Sequence, residues 1–221
     1  MSKFFGIYKK VPLHIFQYYN NEITENHKNI QLLNPEFNIF IFNEGDCIKF
    51  ILNNYPDYVY NAYNSLIPLK YKLDLWKYCI LYKYGGIYID ANFICNTKLI
   101  NFIDNNYYVS EMDYYYNRLS INSDFIISKV NNPLFITVIN TIISNINNNY
   151  YGISATYPTG SGLLGAIISK NKIKTELYYD NNNIYYNKHI IMKKTESKKN
   201  EYYKLLWLSK NIYKCQKFLT L

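Results

Sequence analysis

Cysteine is scarce in this chain, and its placement excludes two classes of small stabilised domain. The four cysteines among 221 residues are scattered and form no CxxC pair. This spacing argues against a structural zinc site and against a disulfide scaffold. It suits a reducing compartment, so we expect a cytoplasmic protein.

Long hydrophobic runs are also missing. No apolar segment of the sequence approaches the roughly 20 residues that span a bilayer. Lys3, Lys9 and Lys10 interrupt the N-terminus, and no apolar segment typical of a signal peptide follows. We therefore expect no transmembrane segment.

Acidic residues are fewer than basic ones, at 16 against 24, which gives a net charge of +8. A basic balance favours anionic partners such as nucleic acids, membrane surfaces or phosphorylated ligands. No nucleic-acid recognition motif accompanies the charge, so we expect no nucleic-acid partner. Tyrosine is abundant, at 27 residues, together with Asn, Ile and Lys. All four have A/T-rich codons, and the bias suits a large DNA virus or an A/T-rich microbe.

The most informative stretch runs from residue 69 to residue 92. Its first part has helical periodicity, with apolar residues three and four apart at Leu69, Leu73, Trp76, Ile80 and Tyr84. Lys70, Asp74 and Lys77 lie together beside that stripe. Gly85 and Gly86 end the helix. The sequence then predicts a short buried strand over 87–89.

Two oxygen-bearing side chains follow this strand. Asp90 and Asn92 are two residues apart, so they point to one side of a continuing strand or converge in a turn. Carboxylate and amide oxygens suit a hard divalent cation such as Mg²⁺ or Mn²⁺. Taken alone, the two residues are more often the start of an ordinary turn, and only their order with the preceding helix and glycines favours a cation site.

The order of these features resembles the DXD sugar-binding region of glycosyltransferases. That family includes the fungal initiating mannosyltransferases, and the large clostridial glucosylating toxins are similar to it. Its pattern is S/A-D-hydrophobic-x-R-Y, then LYxYGG, then hydrophobic-Tyr-hydrophobic-D-x-D. This chain reads LDLWKY over 73–78, LYKYGG over 81–86 and IYIDAN over 87–92. The resemblance covers roughly residues 11–164.

The resemblance implies roles for residues at matching positions. Asp90 would hold the metal with help from Asn92, and Asp74 would accept hydrogen bonds from the sugar hydroxyls. Lys77 would stabilise charge on the sugar or the phosphate, and Tyr88 would help to line the nucleotide pocket. The catalytic set is therefore Asp74, Lys77 and Asp90.

Two positions depart from the family pattern. Asn92 replaces the second Asp of D-x-D and offers an oxygen without charge. Lys77 replaces Arg and loses the planar fork of donors. These changes motivate an alternative function, a degenerate module that binds a nucleotide sugar or a glycan without turnover.

Further candidate residues lie outside the central stretch. Tyr19 falls where the family has a Trp that lies against the nucleotide base, so we expect it to stack there. Gly160 and Ser161 belong to a Gly-rich turn before an apolar helix and are expected to line the donor or acceptor pocket. Relatives carry a His or Trp near the C-terminus that reaches the metal or the diphosphate. His189 and Trp207 are available for this role, and we assign His189 as a metal ligand.

The length suits one domain with a substantial core, and we predict a single domain over 1–221. The opening β-α-β-α pattern indicates an α/β nucleotide-binding unit. The expected fold is GT-A-like and Rossmann-type, with a mixed, mainly parallel central sheet flanked by helices. The expected function is transfer of a hexose from a nucleotide-diphosphate sugar, UDP favoured over GDP, to a hydroxyl of a glycan or protein. By resemblance, the reaction uses Mn²⁺ or Mg²⁺ and retains the anomeric configuration. The oligomeric state stays open.

Overall fold

The computed structural model describes residues 10–19, 25–113, 117–195 and 201–214. The first half of the chain alternates strands and helices: β1 (His14–Tyr18), α1 (Glu25–Leu33), β2 (Asn38–Phe42), α2 (Glu44–Asn54), α3 (Asp57–Ser65), α4 (Leu69–Tyr84), β3 (Gly86–Ile89) and β4 (Phe93–Cys95). A short 3-10 helix (Leu99–Phe102) follows. The second half contains β5 (Tyr107–Asp113), β6 (Arg118–Ser128), α5 (Pro133–Asn147), α6 (Ser161–Lys170), β7 (Leu177–Asp180), β8 (Asn183–Tyr186), β9 (His189–Lys194) and α7 (Tyr202–Leu208).

Nine strands form one sheet in the order β2-β1-β3-β6-β5-β7-β8-β9-β4. The predicted mixed sheet flanked by helices is confirmed. Its expected mainly parallel character holds only for β2-β1-β3 and for the β5-β7 pair. The other neighbours are antiparallel, and β7, β8 and β9 follow one another through short turns instead of crossover helices.

Both faces of the central strands are buried. Phe16, Tyr88 and Ile126 pack against the core on the side of α4 and α5. Their chain neighbours Ile15 and Ile87 pack into the second core, under α1 and the 3-10 helix. This alternation follows from the two-residue period of a strand, and continuous apolar strands such as β3 are typical of a doubly covered sheet.

The helix-to-strand turn at Gly85 and Gly86 needs both glycines. Gly85 has φ +62° and Gly86 has φ +106°. A Cβ at Gly85 would lie 2.7 Å from the backbone nitrogen of Val130, and one at Gly86 would lie 2.7 Å from the carbonyl oxygen of His14. The paired glycines therefore let α4 end tightly against β1 and β6, which fixes where β3 begins.

None of the helices in the described parts of the chain is long and apolar enough to cross a membrane.

Candidate functional site

A cleft of about 1050 Å³ opens where β3 and β9 end, beside the first half of α4. Five predicted site residues line it: Asp74, Lys77, Tyr88, Asp90 and Asn92. A smaller cavity of about 240 Å³ adjoins it and is lined by Gly160 and Ser161. Seven of the eight residues predicted to bind the donor therefore lie around two neighbouring cavities.

Asp74 and Lys77 form the buried centre of this region. Their side chains are 2% and 3% exposed, and Lys77 Nζ lies 3.4 Å from Asp74 Oδ1. Thr159 Oγ1 donates to Asp74 Oδ2 at 2.9 Å. The two residues are one helical turn apart, so the local periodicity of α4 brings them together. A Cβ added at Gly160 would lie 3.0 Å from Asp74 Oδ2, so the small cavity reaches that carboxylate because residue 160 has no side chain.

Lys77 uses its donors within the protein. Besides Asp74, its ammonium donates to the Ser123 carbonyl at 2.8 Å and to Ser123 Oγ at 3.3 Å. It also lies 4.5 Å from the centre of the Tyr88 ring. Burial lowers the pKa of Lys77, and Asp74 opposes that shift. Because an ammonium has three N–H donors, Lys77 is committed to holding Asp74 and β6 in place.

The turn over Asp90, Ala91 and Asn92 is held from both sides. The Asn92 backbone N–H donates to Asp90 Oδ1 at 3.3 Å. The Thr195 N–H and hydroxyl both donate to the Asn92 carbonyl, at 2.7 and 2.8 Å. Asn26 Nδ2 donates to the Ala91 carbonyl at 3.0 Å. The end of β9 and the start of α1 thus fix the position of the two predicted metal ligands.

A second carboxylate faces Asp90 from the neighbouring strand. The Asp90 N–H donates to the Asp124 carbonyl at 2.8 Å, which makes the two residues cross-strand neighbours. Burial, and then the nearby Asp124, raise the pKa of Asp90.

Lysines determine the charge state of Asp124. Lys194 Nζ lies 2.8 Å from Asp124 Oδ2, with both side chains about one-fifth exposed. Burial alone would raise the pKa of Asp124, but Lys70, Lys194 and Lys77 outweigh it and hold that pKa well below the usual range. Asp124 therefore remains ionised.

Sequence reasoning missed Lys194, and it treated Lys70 only as a possible partner of Asp74. Glu111, which lines both cavities, was missed as well. Burial and then Asp124 raise the pKa of Glu111. No motif marks these residues, because β5, α4 and β9 meet only in the folded sheet.

Three residues considered for the site lie elsewhere. Tyr19 is 7% exposed and packs edge-on against His27, with ring centres 6.0 Å apart. Its neighbour Tyr18 lines the cleft instead, because consecutive strand residues point in opposite directions. His189 is exposed at the start of β9, five residues before Lys194, so about 16 Å of strand separates it from the cleft. Trp207 Nε1 donates to the Tyr151 carbonyl at 2.6 Å and anchors α7.

Comparisons with known proteins find similarity to glycosyltransferases. The family model described as "Glycosyltransferase sugar-binding region containing DXD motif" matches residues 20–111. Inositol phosphoceramide mannosyltransferase 3 of Schizosaccharomyces pombe (strain 972 / ATCC 24843) is 35% identical over 69 residues, which are 30% of this chain and 18% of that protein. The match therefore spans less than one-fifth of the length of this curated relative.

Two solved structures superpose on this chain to different extents. The PaToxG glycosyltransferase superposes with a TM-score of 0.53 at 17% identity, over 74% of this chain and 70% of that one. The catalytic domain of alpha-toxin from Clostridium novyi superposes with a TM-score of 0.42 at 10% identity, over 76% of this chain and 65% of that one, a similarity too low to establish a common fold. The first likeness supports the GT-A-type fold. The predicted resemblance is confirmed: residues 20–111 match the model of the DXD-motif sugar-binding region of glycosyltransferases.

Proposed function

We propose that the chain transfers a hexose from a nucleotide-diphosphate sugar, UDP favoured over GDP, to a hydroxyl group of a glycan or protein acceptor. The observation that carries this proposal is the placement of Asp74. It is a buried carboxylate, oriented by Thr159 and Lys77, at the boundary of a large and a small cavity. Such a carboxylate accepts hydrogen bonds from sugar hydroxyls in a fixed geometry.

The sizes of the two cavities support a donor whose nucleotide lies in the large cleft and whose sugar lies in the small cavity. The cleft of about 1050 Å³ is large enough for a nucleotide, and the polar cavity of about 240 Å³ is close to the size of one sugar ring. Tyr18 and Tyr88 provide aromatic surface in the cleft, where a nucleotide base would lie. In the small cavity, Gly160 and Ser161 lie beside the sugar.

A divalent cation, Mn²⁺ or Mg²⁺, fits the residues at the end of β3. Asp90 supplies a carboxylate and Asn92 an amide oxygen, both on the cleft wall, and these are ligands that hard cations prefer. In the described parts of the chain, no group of three or more His, Cys, Asp or Glu side chains is arranged to hold a metal. Mg²⁺ commonly takes one or two carboxylates and completes its shell with water and substrate phosphates. When bound, the cation would offset charge on the departing diphosphate. His189 is left out of this ligand set because of its position.

The rest of the chemistry falls to the residues of this chain. Asp74 orients the sugar, and Lys77 holds the Asp74 side chain in place. Lys194 and Asp124 set the charge of the wall opposite Asp90. Retention of the anomeric configuration is proposed from the family resemblance.

The experiment is nucleotide release from a panel of UDP- and GDP-sugars, with Mn²⁺, with Mg²⁺ and with chelator. Asp90→Ala is compared with Asp104→Ala, since Asp104 is a surface carboxylate whose side chain is 69% exposed. We expect slow hydrolysis of one donor, dependent on metal, lost in Asp90→Ala and kept in Asp104→Ala. Full turnover in Asp90→Ala would refute the assigned roles.

A non-catalytic module is the alternative. Lys77 favours this alternative. It replaces the family Arg, and its ammonium already donates hydrogen bonds to Asp74 and Ser123 instead of to a ligand. Saturable donor binding, with no hydrolysis and no transfer to any acceptor, would establish this alternative.

A further inference from the structure

Four lysines line the large cleft, and their ammonium groups differ in what they already bind. Lys204 is paired with Glu201 at 2.7 Å. Lys77 donates to Asp74 and twice to Ser123. Lys194 donates to Asp124 at 2.8 Å and lies over the Phe93 ring. Lys70 has no hydrogen bond or ion pair with any residue that the structure describes. Its ammonium makes a cation–π contact with Tyr203, 5.8 Å from the ring centre.

Lys70 is held at the boundary between the two cavities. It lies in the first turn of α4, one turn before Asp74, and it lines both the cleft and the small cavity. The other cation common to both cavities is Lys194. Lys77 lines the large cleft only, beneath Lys70 on the same face of the helix.

The surroundings of Lys70 keep it charged. Burial alone would lower its pKa, but Asp74, then Asp124, Tyr203 and Asp90 outweigh that effect and raise the pKa above the usual lysine value. A charged ammonium without a hydrogen-bonding protein partner retains three donors for a ligand. It is also already positioned, so little side-chain freedom is lost on binding.

We propose that Lys70, and not Lys77, is the lysine of α4 that contacts the diphosphate of the nucleotide donor. The inference rests on the proposed function. If the nucleotide occupies the large cleft and the sugar the small cavity, the diphosphate that joins them crosses their common boundary. Lys70 lies at that boundary with all three donors available, whereas Lys77 is a positioning residue that acts through Asp74.

The test is calorimetric binding of UDP, GDP and inorganic pyrophosphate, with Mg²⁺ and with chelator. Lys70→Gln removes the charge, and Lys70→Arg keeps it. Lys83→Gln is the matched control, because Lys83 is exposed in the last turn of the same helix and its loss changes the net charge equally. We expect Lys70→Gln to raise the Kd for pyrophosphate and for the bound nucleotide about ten-fold, or about 1.4 kcal/mol. Lys70→Arg should stay within about three-fold, and Lys83→Gln should match the wild type.

Salt dependence separates phosphate contact from a structural role. Loss of a direct phosphate contact should flatten the dependence of Kd on salt, which a packing defect would not do. Equal affinity of wild type and Lys70→Gln would overturn the inference and leave the proposed function standing. An effect restricted to UDP and GDP, with pyrophosphate binding unchanged, would also overturn it, because Lys70 would then contact the nucleoside and not the diphosphate. A wild-type protein that binds neither the nucleotides nor the pyrophosphate would refute the proposed function itself.

Discussion

Replacing Lys77 by Met should destabilise the fold more than replacing any surface lysine. Lys77 and Asp74 are 3% and 2% exposed, so neither charge has solvent to replace a lost partner. The variant loses three hydrogen bonds, to Asp74 Oδ1, the Ser123 carbonyl and Ser123 Oγ. It leaves the Asp74 carboxylate buried, with Thr159 still donating to it.

The magnitude follows from the environment of the pair. Removing one partner of a buried ion pair typically costs about 3–5 kcal/mol, because the other charge is left uncompensated. Lys28 provides the comparison, since it makes a 2.7 Å ion pair with Glu25 while their side chains are 59% and 86% exposed. An exposed pair contributes under about 1 kcal/mol. Lys28→Met should therefore unfold near the wild-type midpoint.

The assay is urea unfolding followed by far-UV circular dichroism at neutral pH. The slope of the unfolding free energy against urea concentration is compared between variants. A double variant with Lys77→Met and Asp74→Asn should recover part of the lost free energy of unfolding, because it also removes the Asp74 charge that Lys77→Met leaves without a partner. If Lys77→Met cost no more than Lys28→Met, the interpretation of Lys77 as a buried positioning residue would be refuted. If the double variant lost as much unfolding free energy as the two single variants added together, the energetic coupling between Lys77 and Asp74 would be contradicted.

Three further predictions concern the walls of the site. Asp124 has a lowered pKa, so its stabilising effect is complete above the unfolded value of 3.8 and is lost as the pH falls through the folded value; the gap in unfolding free energy between wild type and Asp124→Asn should therefore narrow in acid, as urea titrations at several pH values would measure. Gly160→Ala should reduce donor affinity with little loss of stability, because the added Cβ lies 3.0 Å from Asp74 Oδ2 and must displace it slightly, and calorimetry together with a melting curve separates the two effects. Thr195→Val removes the hydroxyl that donates to the Asn92 carbonyl at 2.8 Å, and it should cost about 1 kcal/mol of stability and weaken Mn²⁺ binding measured by spin resonance.

Each of these three predictions has a clear contrary result. A constant gap for Asp124→Asn down to strongly acidic pH would mean that its charge does not stabilise the fold. Unchanged donor affinity in Gly160→Ala would separate the small cavity from the donor. Unchanged Mn²⁺ affinity in Thr195→Val would mean that the end of β9 does not hold the proposed ligands in place.

Local patterns in the sequence were sufficient for the central part of the fold. The apolar spacing of residues 69–84 predicts α4, and the structure has it with those bounds. The double glycine predicts the turn into β3, because only residues without a Cβ fit against Val130 and His14. Asp74 and Lys77 meet because they are three residues apart on one helix. These features depend on neighbours along the chain, which a sequence displays directly.

Features that depend on strand orientation were less well predicted. The sheet is mainly antiparallel beyond β6, whereas the sequence predicted a mixed, mainly parallel sheet. Tyr19 was predicted to stack on the base from the family resemblance, but this residue, one past the end of β1, packs into the core and leaves Tyr18 at the cleft.

The sequence by itself determined the helix, the turn and the Asp90–Asn92 segment, because their physical causes are local periodicity and backbone freedom. Only the tertiary structure decided which charges share the cleft. Lys194 is 70 residues from Asp124 in the chain, yet it reaches that carboxylate because β9 pairs with β4, and Asp90, shortly before β4, bonds to the Asp124 carbonyl. Lys70 and Lys77 look equivalent in the sequence, but only folding shows that Lys77 uses its donors on Asp74 and Ser123. The partners of a buried charge are set by the packing of strands that are distant in the chain, and local sequence patterns do not show which strands pack together.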